Sequence, residues 1–186
     1  SGTTFVFTDY LTKVSPMWKE KFGAGKSVNF SSGQAAKGNP GVAGVISQTK
    51  NSIGYVSSEY AFALKIPYAR IRNVRGEFVL PSSATISAAA SGVIPADTRT
   101  SITNVDAVGA YPISTFTWMI IYKEQNYSDR SKEQAEATLD LLKYILSDEV
   151  QNITSEVHYA PLPAKTKELN MTNLKTVTYD GVAILQ

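Results

Sequence analysis

Short helical and extended patterns alternate along the front of this chain, each cut from the next by glycine or proline, and that order leaves few architectures open. Phe5, Phe7, Tyr10, Leu11 and Val14 recur at helical spacing, with Thr3 or Thr4 as the expected N-cap. Ser15-Pro16 stops that helix, because proline disfavours a helical residue before it, and Pro16 starts a second short helix over 17–22. Gly23-Ala24-Gly25 closes it, and a short strand is expected over 27–30. Asn39-Pro40 can cap a helix over 41–49, a buried strand follows over 53–56 and a helix over 59–64. Strands over 68–74 and 77–80 join through a turn at Arg75-Gly76. The pattern predicts a layered α/β domain.

The character changes at Pro81. Residues 82–90 read as a short helix of small residues, and "SGVIPADTRTSITNVDAVGAYP" is a polar connector and a candidate boundary. The β-branched and aromatic run over 113–122 predicts a strong strand. Ser128 or Asp129 is then expected to cap a long helix with Ala135, Leu139, Leu142, Ile145 and Leu146 on its apolar face. Residues 148–157 read as helical, prolines 161 and 163 break them, and a helical or irregular tail runs to Gln186.

The totals exclude several classes. Of the 186 residues, 43% are hydrophobic and only 18% charged, a balance that suits a folded domain and not a charged disordered tail. The net charge is +2, and the basic residues are scattered apart from the alternating Arg70, Arg72 and Arg75. Nucleic acid is therefore not expected as a partner. Without cysteine there is no disulfide, thiolate metal site or cysteine nucleophile. No run approaches the roughly 20 apolar residues of a membrane span, and the start carries no signal-peptide pattern.

The chemistry-bearing residues are few. His158 is the single histidine, and it reads as a packing or capping residue. Asp148-Glu149 suits a helix start, and Glu133 with Glu136 suits a solvated helix face. The N-x-S/T sequons at Asn29, Asn126, Asn152 and Asn170 are too short a motif to interpret. Neither a metal nor a cofactor is expected. Gly33, Gly38, Gly41 and Gly44 run into a helix, which can offer backbone amides to an anion but is equally how loops join helices. Ser1, Gly2, Thr3 and Thr4 are more specific: they combine hydroxyls, unpaired helix-start amides and a glycine that permits close approach. An anion seat and a plain N-cap box both fit them.

The segments "SGTTFVFTDYLTKVSPMWKEKFGAGKSVNF", "KGNPGVAGVI" and "SIGYV" closely resemble the periplasmic phosphate-binding proteins of bacterial phosphate ABC transporters. "AYPISTFTWMII" and "VHYAPLP" resemble later parts of the same family in the same order. The resemblance implies a type II periplasmic-binding-protein-like α/β fold of two lobes, present here only in part. Residues 1–108 would form most of the second, central lobe with half of the phosphate loop; residues 109–186 would form the hinge return strand and a C-terminal segment of the first lobe. The family loop reads Arg-x-Asp-Gly-Ser-Gly-Thr, and its last three residues fall on Ser1, Gly2 and Thr3. The arginine and aspartate would precede residue 1, as would an N-terminal half supplying the other wall of the cleft.

What the resemblance implies for function is capture of inorganic phosphate and its delivery to the membrane permease subunits of a phosphate ABC transporter. The location would be periplasmic or extracellular, with room for a lipid anchor on the N-terminal part. No bond is made or broken in such a process, so no enzyme is expected. The alternatives are a phosphatase-like enzyme, which would need a nucleophile or metal cluster, and an interaction module that keeps the fold without the ligand.

Overall fold

A computed structural model describes residues 1–185. Helix α1 (Gly2–Val14) begins on Ser1, whose Oγ accepts from the Thr4 N–H at 3.3 Å, so Ser1 and not Thr3 or Thr4 is the cap. Ser15 ends α1 and caps α2 (Pro16–Lys21), which places Pro16 where a missing N–H costs nothing. Helix α3 (Gly38–Gln48) starts three residues earlier than expected from a cap at Asn39-Pro40; Lys37 is its N-cap, without a side-chain cap bond. The Asn39 side chain is engaged elsewhere. After α4 (Ser58–Ala63), strands β1 (Ile71–Arg72) and β2 (Phe78–Val79) form an antiparallel hairpin, with Ile71 opposite Val79. Its turn carries Gly76 at φ +83°, a conformation that suits glycine.

Helix α5 (Ser83–Ala89) starts on a reciprocal capping box between Ser82 and Thr85. Helix α6 (Lys132–Leu146) does the same with Ser131 and Gln134. The expected cap at Ser128 or Asp129 is displaced because both residues take left-handed backbone angles, φ 50° and 58°, in a turn ahead of the helix. Helix α7 (Asp148–Ile153) runs into a single 3₁₀ turn (Thr154–Val157), closed by His158 at φ 65°. Beyond the two prolines lie α8 (Ala164–Leu174) and a second antiparallel hairpin, β3 (Thr178–Tyr179) with β4 (Val182–Ala183).

The strand expectations fare differently. Residues 27–30, 53–56 and 113–122 carry no strand, and none joins a ladder among the described residues. Ile53, expected in a buried strand, is 94% exposed. The β-propensity of these segments is real, but a strand exists only where a neighbour accepts its hydrogen bonds. Among residues 1–185 the pairing consists of the two hairpins and one parallel bridge between Glu124 and Thr178.

Two apolar clusters and one aromatic run hold the elements together. Ala89, Ala90, Ile102 and Ala110 are buried against Val105, Ala107 and Phe116, and the small residues of α5 let the connector lie close on it. Leu139 of α6, Leu174 of α8 and Val177 form the second cluster, with Leu142 and Leu146 from the expected α6 stripe packed against it. The Phe7 and Tyr55 rings stack at 4.3 Å, and Phe30 and Trp18 continue the contact to α2. Segment 53–56 passes so close to α3 that a Cβ on Gly54 would lie 2.7 Å from Ile46 Cδ1.

The connector after α5 is strapped to the first part of the chain. Asp9 Oδ2 on α1 accepts from the hydroxyls of Ser101 at 2.7 Å and Thr103 at 2.5 Å, and Lys13 Nζ donates to both residues. Buried Asn73 donates to Glu77 at 2.7 Å and to the Ala110 carbonyl at 3.2 Å. Further on, the chain returns to the same region. Ser87 donates to the Pro161 carbonyl at 2.8 Å, and the His158 ring meets Phe62 edge-on at 5.5 Å, a packing role as expected.

Candidate functional site

Ser1, Gly2 and Thr3 sit together at the open end of α1. Gly2 and Thr3 occupy the first two helical positions, where no carbonyl within the helix can accept their N–H groups. The helix is 13 residues long, so its aligned peptide dipoles leave partial positive charge at this end. The three expected residues are not equivalent, however. The Ser1 nitrogen is already committed to the Lys26 carbonyl at 2.6 Å. Its Oγ serves as acceptor for the cap, which leaves the hydroxyl proton free to donate. The Thr4 hydroxyl is engaged with Tyr55, 3.0 Å from its hydroxyl.

Thr3 reaches across to α3. Its Oγ1 donates to Asn39 Oδ1 at 3.3 Å, and the same oxygen accepts the backbone N–H of Ser57 at 3.2 Å. The first turns of α1 and α3 and the entry to α4 therefore meet on one carboxamide. The glycine-rich stretch that held an anion-seat reading is thus brought to the Ser-Gly-Thr triplet through Asn39. Asn39 and Ser57 are the residues that sequence reasoning missed as parts of this site. Asn39 was legible only as a helix cap, and nothing local connects it to a threonine 36 residues earlier.

One turn further along α1, Thr8 is fully buried and its hydroxyl joins the helix to the loop after α2. It donates to the Thr4 carbonyl at 2.8 Å and accepts the Gly25 N–H at 3.1 Å, next to the Lys26 carbonyl that holds Ser1. Asp9 is the nearest charged group of α1 with a resolved shift. Burial pushes its carboxyl up, but donation from Thr103, Ser101 and Lys13 outweighs this and leaves it below the usual carboxylate range. That carboxylate is thus neutralised by its own clasp with the connector.

A set of donors at a helix start, with a glycine in it, is suited to holding an anion. A family model described as a PBP superfamily domain matches residues 1–149. Among curated proteins, the chain is 40% identical over 166 residues to the Phosphate-binding protein PstS of Xylella fastidiosa, a match covering 88% of this chain and 44% of that protein. It is 35% identical to the protein of the same name from Methanocaldococcus jannaschii, over 95% of this chain and 49% of the relative. The corresponding Haemophilus influenzae protein is 36% identical, over 95% and 52%. The chain spans about half the length of the curated relatives it matches. A model that covers four-fifths of the sequence, Ser-Gly-Thr triplet included, leaves one family assignment, and the chain belongs to the PBP superfamily.

Proposed function

We propose that this chain is the C-terminal part of an extracytoplasmic solute-binding protein that captures inorganic phosphate for an ABC transporter. The observation that carries the reading is the Ser1-Gly2-Thr3 triplet at the open end of α1, in a chain whose curated relatives are named phosphate-binding proteins. In this reading Ser1 contributes its hydroxyl, Gly2 and Thr3 their amides, and the α1 dipole the fixed positive field. They form one wall of the site.

The other wall belongs to an N-terminal half of the same protein. This fits a chain half as long as its relatives, with apolar side chains such as Ile53 and Ile120 exposed. Residues 1–108 would be most of the second lobe, and residues 109–186 the hinge return and the C-terminal segment of the first. Two lobes closing by a hinge motion would surround the dehydrated anion with donors, and reopening would release it to the permease subunits. Binding and delivery require no catalytic group. A periplasmic or extracellular location follows from the role, and among the described residues no helix is long and apolar enough to cross a membrane.

Calorimetry with phosphate and sulfate tests the proposal. The chain alone should bind phosphate weakly, and the protein that unites it with the N-terminal half should bind phosphate tightly and reject sulfate. Tight selective binding by the chain alone would overturn the two-wall arrangement, and no binding by the united protein would overturn the ligand.

A further inference from the structure

Residues 154–163 reach back from the later part of the chain onto α4 and α5. Ser87 of α5 donates to the Pro161 carbonyl at 2.8 Å. Ser83 donates to the Tyr159 carbonyl at 3.3 Å, which leaves the Ser155 hydroxyl, 3.1 Å away, to donate to Ser83. The Tyr159 hydroxyl donates to Glu59 of α4 at 3.3 Å, beside the edge-on contact of His158 with Phe62. The match has a geometric reason. Ser83 and Ser87 lie four apart on one helix face, about 6 Å along its axis. Pro161 and Pro163 bias the residues before them toward an open backbone, which spaces carbonyls two residues apart by about 6 Å as well.

A buried side chain holds this arm to its own part of the chain. Gln151 of α7 is 7% exposed; its Oε1 accepts the Leu162 N–H at 2.7 Å and its Nε2 donates to the Ile145 carbonyl at 2.8 Å. The backbone beside Pro161 is thereby fixed to α6 and α7. The bonds to α4 and α5 are different in kind: they are few and polar, and three of the four are exposed. Water can replace each of them at small net cost, so the contact can break and re-form. In the two-lobe arrangement proposed above, α4 and α5 belong to one lobe and residues 154–163 to the other. We propose that residues 158–161 are a latch between the lobes, which holds them closed through Ser83, Ser87 and Glu59 and so sets how long phosphate is retained. This rests on the phosphate reading and adds what governs release. Asn173 donates to the Ala96 carbonyl at 2.9 Å and joins the same two parts of the chain elsewhere, so loss of one latch bond loosens closure without abolishing it.

The test is the kinetics of inorganic phosphate on the complete protein, followed by stopped flow. A bond made only in the closed arrangement shifts the closing equilibrium, and with it release, while capture by the open arrangement is untouched. Ser87→Ala should raise the release rate about fivefold, the worth of one neutral hydrogen bond, and change the association rate by about twofold or less. Ser87→Thr keeps the hydroxyl and should restore slow release. A cross-link tests the contact from the other direction. The Ser83 and Ser155 hydroxyl oxygens are 3.1 Å apart, and the chain has no cysteine to compete. Ser83→Cys with Ser155→Cys, oxidised with phosphate bound, should release it more slowly by about tenfold or more, and reduction should reverse this.

A purely structural role would lower the unfolding midpoint of Ser87→Ala and leave its release rate unchanged. That result, or a cross-linked protein that releases phosphate as fast as the reduced one, overturns the inference. So does failure of the cysteine pair to bridge under oxidation, read by intact mass, because the contact is then not made in solution. If the unsubstituted protein binds no phosphate, the underlying reading fails and the latch with it. If it binds phosphate and release is insensitive to these changes, this inference alone fails.

Discussion

Thr8 illustrates how much a single hydroxyl can organise when it is buried. It gives its proton to the Thr4 carbonyl and takes one from the Gly25 N–H, and so couples α1 to the loop that presents the Lys26 carbonyl to Ser1. Valine has nearly the same shape but no lone pair, so Thr8→Val leaves the part-buried Gly25 amide without this acceptor. The expected cost is about 1–3 kcal/mol, read as a lower urea midpoint at unchanged slope. A change below about 0.5 kcal/mol would mean that Gly25 finds another acceptor. Thr8 reads in the sequence as one more polar position on a helix; its partner Gly25 lies 17 residues away.

Among the elements, the β3–β4 hairpin depends on one exposed carboxylate. Glu124 accepts from the Asn126 and Asp180 amides through Oε1, and from the Thr178 hydroxyl and the Gly181 amide through Oε2. The Asn126 amide leads the donors that lower its pKa to about 2, from an ordinary 4.5. A carboxyl whose pKa falls on folding stabilises the folded state above its unfolded value, and that contribution is lost as pH falls through the folded value. Hydrogen-exchange protection at Asp180 and Gly181 should therefore decline between pH 4.5 and about 2. In Glu124→Gln, with one acceptor oxygen in place of two, protection should be lower throughout and this pH dependence absent. Persistence of the same acid transition in that variant would assign it to another group. The helices themselves follow local rules: α2 starts on its proline, α5 on a Ser-x-x-Thr box, and α6 on Ser131 with Gln134 three residues on. The α6 cap lies off the expected Ser128 or Asp129 because a left-handed turn, invisible in composition, precedes it.

For the whole molecule, the β-prone run over 113–122 exposes apolar surface. Trp118, Met119 and Tyr122 are exposed, and Ile120 is 94% exposed, in a segment of high β-propensity that joins no ladder among the described residues. Such an edge invites pairing with any available strand. The isolated chain should self-associate with rising concentration, and Ile120→Lys should suppress this while leaving the helical content unchanged. Sedimentation velocity over a concentration series, with far-ultraviolet circular dichroism as the fold control, decides it. A monomeric unsubstituted chain at all concentrations would show that the edge is covered.

Read by itself, the sequence determined most of the helices, the first hairpin and the membership in a binding-protein family. Caps, prolines and apolar spacing act within a few residues, and the Ser-Gly-Thr triplet lies in a continuous stretch, so both are written locally. Only the tertiary structure decided which extended segments become strands and what Asn39 does. Ladder pairing needs a neighbour distant in sequence, and the three segments over 27–30, 53–56 and 113–122 find none among residues 1–185. Asn39 has the local chemistry of a helix cap, but Thr3 and Ser57, 36 residues before and 18 after, compete for its oxygen and win it. That competition is settled by packing.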